Sequence, residues 1–312
     1  MNFSINKTEI SLKNPTAITI GTFDGVHIGH QKIIERLVDA AKQRNLESTI
    51  LTFFPHPRMV LQQNVDLKLI NTIAERIEIL KNSGIDNLIV YPFSKEFSRL
   101  HAQEYIEKIL KGKLNAKRVI IGYDHHFGKN RTADIEDLKK FGEKYDFEVE
   151  EISKQDIDDV SVSSTKIRKA LKNGNIEKAN RYLGKPFMLT GEVVKGRQLG
   201  KKLGYPTANL FIEEKYKLIP KQGVYIVKSK IEEKEYFGMM NIGTNPTVGG
   251  MEQTIETFFF DLDADLYGKT LQIHLLKRIR DEKKFANTTE LITAMKEDEI
   301  FTKKYLQKFK MK

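Results

Sequence analysis

The sequence predicts two domains, an α/β domain with a parallel sheet followed by an antiparallel β domain. Up to about residue 183, runs that are apolar throughout alternate with amphipathic stretches, which is typical of parallel strands covered by helices on both faces. From residue 187 the chain is β-rich and punctuated by Gly, Pro and Asn, which favours an antiparallel barrel or sandwich. We place the boundary after Gly184, which gives domains of residues 1–184 and 185–312.

The first half contains the elements of an α/β domain in alternating order. In the first predicted helix, one face is apolar at the spacing of an α-helix. That face consists of Ile33, Ile34, Leu37, Val38 and Ala41. The predicted strands are "AITIGTF", "STILTFF", "NLIVYPF", "KRVIIGY" and "FEVEEI". The predicted helices are "HQKIIERLVDAAKQ", "AQEYIEKIL" and "ADIEDLKKFGEKY".

The second half reads as strands followed by one terminal helix. Its predicted strands are "FMLTGEVVKG", "GVYIVKSKI", "EYFGMMNIG", "TIETFFFDLDADL" and "LQIHLLKRI". The stretch "NTTELITAMKEDEIFTKKYLQKF" predicts a helix that begins with a capping signal. Its first residue, Asn287, can cap the helix, and Glu290 follows three residues later.

Composition narrows the class of protein. The chain has 312 residues and no cysteine, which excludes disulfides, thiolate zinc sites and cysteine nucleophiles. It has neither the apolar core of a signal peptide nor an apolar stretch long enough to span a bilayer, so we expect a cytoplasmic protein without membrane contact. The net charge of +10 attracts anions, but the lysines are dispersed among acidic residues. We therefore expect a solvated surface and no nucleic-acid partner.

The stretch "GTFDGVHIGH", residues 21–30, predicts a phosphate site. It lies between a strand and a helix, where glycines permit a tight turn and the helix start offers N–H groups and positive dipole to an anion. His27 and His30 lie three residues apart, on one face of the first turn, where their N–H groups can donate to phosphate oxygens. One alternative is that the two histidines are incidental surface residues. Another is a zinc pair, but it needs a third ligand, and His56, His125 and His126 have no matching spacing.

The stretch "GEVVKGRQLGKKLGYPTANL", residues 191–210, predicts a second phosphate site. Its glycines permit close contact between backbone and phosphate. Thr207 and Asn209 occupy alternating strand positions and share one face, where their oxygens suit magnesium completed by phosphates and water. A glycine-rich hairpin is the alternative. Its glycines are Gly191, Gly196, Gly200 and Gly204.

These motifs resemble a known family. "GTFDGVHIGHQKII" carries the HxGH signature of nucleotidylyltransferases and resembles the amino-terminal module of bacterial bifunctional riboflavin kinase/FMN adenylyltransferase (FAD synthetase). "VSSTKIRKAL" resembles the second ATP signature of that module, and "GYDHHFGKNR" its flavin- and nucleotide-contacting loop. "PTAN", "MNIGTNPTVGG" and "ETFFFDLDADLYGK" resemble the riboflavin kinase module. The resemblance implies a Rossmann-like nucleotidylyltransferase domain with a parallel sheet, then an antiparallel β-barrel with a terminal helix.

For the first module, the resemblance implies attack by the FMN phosphate on the α-phosphorus of ATP. His27 and His30 would stabilise the developing charge, and Arg168 would steady the leaving pyrophosphate. Further expected contacts to ATP or phosphate are Gly21, Thr22, Phe23, Asp24, Gly25, Gly29, Ser163, Ser164 and Thr165. The residues expected to contact flavin are Asp124 and Phe127 in this module and Asn241 in the second module.

For the second module, the resemblance implies that Glu256 is the general base for the ribityl 5′-hydroxyl of riboflavin as it attacks the γ-phosphate. Mg²⁺, bound with ATP, would lie at Thr207 and Asn209. The loop residues expected to contact phosphate are Gly196, Gly200, Lys201 and Gly204. Asp261, Asp263 and Asp265 lack the glycine and glutamate spacing of a calcium loop, so we interpret them as turn carboxylates.

The predicted function is therefore a bifunctional enzyme that converts riboflavin to FMN and FMN to FAD, with riboflavin, FMN and ATP as substrates. One alternative is that a single activity is retained, namely FAD synthetase alone. Another is a nucleic-acid-binding or flavin-sensing regulator built on the same folds, which would need no general base. A tRNA synthetase is excluded because no segment is left for an anticodon-binding domain. The sequence leaves the oligomeric state open.

Overall fold

The structure is a computed structural model that describes residues 2–5, 7–62, 66–122, 126–153, 162–196, 204–247 and 250–310. The chain divides into two compact units, Met1–Ser164 and Thr165–Lys312. Of the predicted site residues, Asp124, Gly200 and Lys201 lie outside the described residues. Within the described residues, no helix is both long enough and apolar enough to span a membrane.

The described part of the first unit is built on a six-stranded sheet. Every strand pair in it is parallel, and the strand order is β1-β4-β3-β2-β5-β6. This confirms the predicted parallel α/β fold. The strands are β1 (Asn2–Ile5), β2 (Thr16–Ile20), β3 (Glu47–Phe54), β4 (Asn87–Pro92), β5 (Ala116–Gly122) and β6 (Glu148–Ile152).

The central strands of this sheet are buried on both faces, and β2 is buried at every position. Successive residues of a strand point to opposite faces. Accordingly, Ile18 and Leu51 belong to one apolar cluster, and their neighbours Ala17 and Ile50 belong to another. Helices cover the faces. The helices that contribute residues to the two clusters are α1 (Ile28–Arg44), α3 (Ile73–Lys81), α4 (Ala102–Tyr105, continued by a π-helix at Ile106–Lys111) and α5 (Ile135–Tyr145). The short helix α2 (Pro57–Leu61) has no buried residue.

The second unit contains a closed antiparallel barrel with strand order β10-β11-β8-β7-β12-β9. This resolves the choice between barrel and sandwich and confirms the fold implied by the resemblance. Its strands are β7 (Phe187–Val194), β8 (Ala208–Phe211), β9 (Gly223–Ile231), β10 (Lys234–Thr247), β11 (Gly250–Phe259) and β12 (Thr270–Arg280). Its helices are α6 (Ser164–Lys172, whose first residue belongs to the first unit), α7 (Ile176–Leu183) and α8 (Thr288–Lys310).

The two helices before the barrel were only partly anticipated. The second ATP signature, "VSSTKIRKAL", coincides with the start of α6, whereas α7 was not predicted from the sequence. This helix is joined to the barrel through Asn180, whose Nδ2 donates to the Leu275 carbonyl and whose Oδ1 accepts from the Phe187 N–H. The compact units divide after Ser164. The boundary that we placed after Gly184 separates the two functional domains, and it stays a prediction.

The terminal helix α8 is fastened to the barrel by an ion pair. The Arg280 guanidinium donates from Nε and Nη2 to the carboxylate of Asp298 at 2.7–3.1 Å, and Asp298 is buried. Further along the helix, Leu306 packs against Ile226 and Leu276. The predicted cap is also present, because Asn287 Oδ1 accepts from the Glu290 N–H at 2.9 Å.

We expect Asp298→Ala to loosen α8, because Arg280 would lose its partner in a mostly buried position. Removing one member of a buried pair costs about 3–5 kcal/mol, so amide exchange in α8 should accelerate about 100-fold or more. Hydrogen exchange of the full chain, read by mass spectrometry, measures this. The exposed neighbour Glu297→Ala is the control. Equal exchange in the two variants would show that the ion pair does not hold the helix.

Candidate active sites

The turn between β2 and α1, residues 21–27, has an unusual backbone; we call it the histidine turn. Phe23 and Val26 have positive φ angles of 48° and 42°, and Gly25 between them has a φ of 89°. Positive φ is uncommon outside glycine and is a genuine outlier for a β-branched valine. Such conformations cost about 1–3 kcal/mol each and persist only where surrounding contacts fix them.

Those contacts are present on both sides of the backbone. The side chains of Phe23 and Val26 are almost fully buried in one apolar cluster. Thr52 Oγ1 donates to the Thr22 carbonyl at 3.2 Å, and Gln31 Nε2 donates to the Val26 carbonyl at 2.8 Å. The Gly21 N–H donates to the Leu51 carbonyl at 3.1 Å. These contacts within the protein hold the histidine turn in its strained form.

His27 and His30 form one stacked unit at the start of α1. Their rings lie 3.7 Å apart between centroids and are inclined by 15°. His27 is the N-cap residue, and its Nδ1 accepts the backbone N–H of His30 at 3.3 Å. A neutral imidazole that accepts at Nδ1 carries its proton on Nε2. His27 therefore offers an N–H donor on the side of the ring opposite the cap.

The environment keeps the ring of His27 uncharged. Burial lowers the pKa of His27 from 6.5 to about 4, and the nearby Asp24 carboxylate opposes this shift only in part. His27 is 7% exposed. At neutral pH it is a neutral donor, as the cap to His30 requires.

Helix α1 also suits an anion at its start. Its first turn contains no acidic residue, and its last turn carries Lys42 and Arg44. The basic residues at the C-terminus interact favourably with the helix dipole, and no carboxylate at the N-terminus competes with an anionic ligand for its positive end. Gly29 is buried in the first turn.

Ser164 of the second ATP signature is hydrogen-bonded to the histidine turn. Ser164, the first residue of α6, donates from Oγ to the Asp24 carbonyl at 2.9 Å. Ser163 directly precedes this helix and is half-buried. Thr165 and Arg168 follow on the same helix and belong to the second unit.

Phe127, expected to contact flavin, has a different environment. Its ring is 6% exposed and packs 5.9 Å from Tyr105 and 6.5 Å from Phe141, between centroids. Its backbone pairs with Ala133. The structure thus places this side chain in the apolar core of the first unit.

In the barrel, three polar residues lie side by side on neighbouring strands. Glu256 of β11 is opposite Asn241 of β10 on one side and Asn209 of β8 on the other. Directly opposed residues of antiparallel strands point to the same face. The flanking residues Ile255 and Thr257 are buried, whereas the three residues of this polar row are half-buried.

Thr207 joins the polar row from the chain just before β8. Its Oγ1 lies 3.2 Å from Glu256 Oε2, in hydrogen-bonding geometry. Gly196, which follows β7, lies so close to Asn209 that a Cβ at position 196 would collide with the Asn209 amide. Gly204 has a φ of 81°. The predicted metal ligands and the predicted base are therefore brought together, with a glycine against them.

The sequence reasoning missed two residues that anchor this region. The Tyr205 ring packs against Phe258 at 5.0 Å between centroids, and its hydroxyl hydrogen-bonds Glu299 of α8 at 3.0 Å. Phe258 shares its face of β11 with Glu256, two residues earlier. Tyr205 could have been found from the sequence. It lies two residues before Thr207, so the same alternation that places Thr207 and Asn209 on one face also places Tyr205 there.

Asp261, Asp263 and Asp265, which we interpreted as turn carboxylates, lie after β11. Asp265 Oδ1 accepts from the Tyr267 N–H at 3.0 Å, which is a local turn bond. Within the described ranges, no group of three or more His, Asp and Glu residues is arranged to hold a metal ion.

Comparison with known proteins places both halves of the chain in one family. The FAD synthetase family model matches residues 9–166, and the riboflavin kinase model matches residues 183–306. Proteins described as bifunctional riboflavin kinase/FMN adenylyltransferase are 35% identical in Buchnera aphidicola of Acyrthosiphon pisum, covering 94% of both chains, and 35% identical in Escherichia coli K12, covering 92% of both. The chain belongs to this bifunctional family.

A further relative in Listeria monocytogenes is 34% identical over 93% of this chain and 92% of its own. A crystal structure from Streptococcus pneumoniae has the same fold, with a TM-score of 0.88 and 34% identity over 97% of this chain and 98% of that one. It is described as a macrolide-efflux protein, which is a statement about that protein and differs from the description of the curated relatives.

The depressed pKa of His27 predicts a stability that depends on pH. The unfolded chain binds this proton near pH 6.5 and the folded chain near pH 4. Between these values the unfolded state binds more protons, so the free energy of unfolding falls as pH drops, by about 3 kcal/mol in total.

The test compares the full chain with His27→Asn, because asparagine is a good N-cap that does not titrate in this range. Urea unfolding is measured between pH 7 and pH 4. Over this range the free energy of unfolding of the first unit should fall more steeply in the wild type than in the variant. Parallel curves for the two proteins would contradict the pKa shift assigned to His27.

Proposed function

We propose that this chain phosphorylates riboflavin to FMN in the barrel and adenylylates FMN to FAD at the histidine turn, with ATP as the second substrate of both reactions. The observation that carries the proposal is the match of each half of the chain to one of these two enzyme families. We assign adenylylation to residues 1–184 and phosphorylation to residues 185–312, and both reactions to the cytoplasm.

Adenylylation needs stabilised charge at the α-phosphate. A phosphate oxygen of FMN attacks the α-phosphorus, a new P–O bond forms, and the bond from that phosphorus to the pyrophosphate oxygen breaks. Negative charge builds on the α-phosphate oxygens during this exchange, and preorganised donors lower its energy. The stacked pair His27 and His30 supplies such donors. Ser163, Ser164, Thr165 and Arg168 are our candidates for holding the departing pyrophosphate.

Phosphorylation needs a base next to the γ-phosphate. The ribityl 5′-oxygen attacks the γ-phosphorus, the bond to the bridging oxygen of ADP breaks, and Glu256 takes the hydroxyl proton. The Thr207 hydroxyl bonds one carboxylate oxygen, Oε2, and so orients the other towards a substrate. Asn241, at the end of the polar row, is our candidate for contacting flavin.

Mg²⁺ fits the residues beside this base. The Thr207 hydroxyl and the Asn209 side-chain carbonyl are hard oxygen donors of the kind that magnesium binds. The hydroxyl hydrogen of Thr207 is directed to Glu256, which leaves oxygen lone pairs for a cation, and Gly196 keeps the space beside Asn209 free of a side chain. When bound, the ion would neutralise charge on the phosphates. Two neutral ligands favour an ion that arrives with the nucleotide.

For the first site, we expect His30→Ala to lower the rate of FAD formation from FMN by about 100-fold or more, because one transition-state donor is removed. FMN formation from riboflavin should continue at the wild-type rate, so FMN accumulates. Chromatography of the flavins formed with ATP and Mg²⁺ measures both. Glu35→Ala, an exposed position on the same helix, is the control. Normal FAD formation by the variant would remove His30 from this role.

For the second site, we expect Glu256→Gln to slow FMN formation from riboflavin by about 10²–10⁴-fold, since glutamine keeps the shape but accepts no proton. FAD formation from supplied FMN should be unchanged. The control is Glu192→Gln, an exposed glutamate on β7. Unchanged phosphorylation by the first variant would show that Glu256 is not the base, and a wild-type protein that forms FAD but no FMN would support the single-activity alternative.

A further inference from the structure

We propose that Arg76 and Asp24 form a positioning pair for FMN adenylylation, and this inference rests on the function proposed for the histidine turn. Both side chains are 0% exposed, and Arg76 Nη2 lies 3.9 Å from Asp24 Oδ1. A fully buried ion pair is expensive to desolvate and is often less stabilising than apolar residues of the same size. We therefore infer that this pair serves to fix the geometry of the histidine turn rather than to stabilise the fold.

Asp24 connects three segments of the chain. Its carboxylate accepts the backbone N–H of Ile70 at 3.0 and 3.1 Å and that of Asn71 at 3.2 Å. Its backbone carbonyl accepts the hydroxyl of Ser164. One residue of the histidine turn thus fixes the chain before α3 and the serine of the second ATP signature. With its carboxylate engaged in this way and shielded from solvent, Asp24 acts through these neighbours.

The partner segment is itself held rigidly. Glu75 Oε2 accepts the N–H of Thr72 at 2.9 Å and lies 3.3 Å from Asn71 Nδ2, while Thr72 Oγ1 accepts the N–H of Glu75 at 3.1 Å. This capping box closes the start of α3, from which Arg76 projects. Arg76 Nη1 also donates to the Phe53 carbonyl at 3.4 Å, at the end of β3. The pair therefore links the histidine turn to the end of β3 in the parallel sheet.

The consequence for catalysis follows from the place of Asp24 in the turn. It lies between Phe23 and Gly25, both with positive φ, and three residues before His27. If the carboxylate loses its cation, the strained backbone has less to fix it, and the two imidazoles shift. Displacement of a positioned group by about 1 Å costs about 100-fold in rate.

The test uses Arg76→Met in the full-length enzyme, since methionine retains much of the length without the charge. We expect kcat for FAD formation from FMN to fall about 100-fold, with KM for FMN and ATP changed less than about 3-fold. Riboflavin phosphorylation in the same preparation should be unchanged. Arg76→Lys keeps a cation and should regain at least about 5-fold in kcat over the methionine variant. Lys81→Met, exposed on the same helix, is the control.

A double variant, Asp24→Asn with Arg76→Met, separates positioning from folding. The residues act as a unit if the double variant loses no more kcat than Arg76→Met alone, after correction for the folded fraction from thermal unfolding. Four results would overturn the proposal: wild-type kcat in Arg76→Met, a loss explained by unfolded protein, a parallel loss of phosphorylation, or no recovery with lysine. If the wild type itself forms no FAD from FMN, the proposed function has failed instead.

Discussion

The first site depends on a strained backbone that is held from both sides. Phe23 and Val26 have positive φ angles, and a free peptide would leave this conformation at once. Their buried side chains fix the turn from the core, while Asp24 fixes it from the opposite side through the backbone N–H groups of Ile70 and Asn71. Because these contacts fix the turn, they also fix the position of the two imidazoles at the start of α1.

The two sites place their groups by different physical means. At the histidine turn, the end of a strand and the start of a helix set the geometry, so His27 and His30 are close in sequence and meet through helical spacing. In the barrel, the register between strands does this, because Glu256 faces Asn209 and Asn241 across two strand pairs. A motif of the first kind is compact in sequence, whereas one of the second kind is distributed over almost 50 residues between Thr207 and Glu256.

This difference explains what the sequence could predict. The parallel strands were recognisable because both faces are buried, as the neighbours Ala17 and Ile18 show, and the helical spacing of the histidines was legible directly. The contact of Thr207 with Glu256 needed the barrel register. Arg76 was visible only as a charge on the apolar face of α3, between Ile73, Ile77 and Leu80, and nothing local identified its partner. The packing of Phe127 against Tyr105 and Phe141 could not be predicted, because these neighbours come from helices distant in the sequence; its contact with flavin stays a prediction.

In the function we propose, the electrostatics of the histidine turn favour transition-state stabilisation over tight binding of ATP. His27 is neutral because burial lowers its pKa to about 4, and the charges of Asp24 and Arg76 cancel. Among the described residues of this turn, the start of α1 and the ring N–H groups are oriented dipoles. Fixed dipoles act most strongly on charge that is newly concentrated at one atom, whereas a cluster of permanent cations would also stabilise the bound nucleotide and raise the barrier from that state. A neutral, rigid donor pair is therefore suited to a reaction whose leaving group already carries most of the charge.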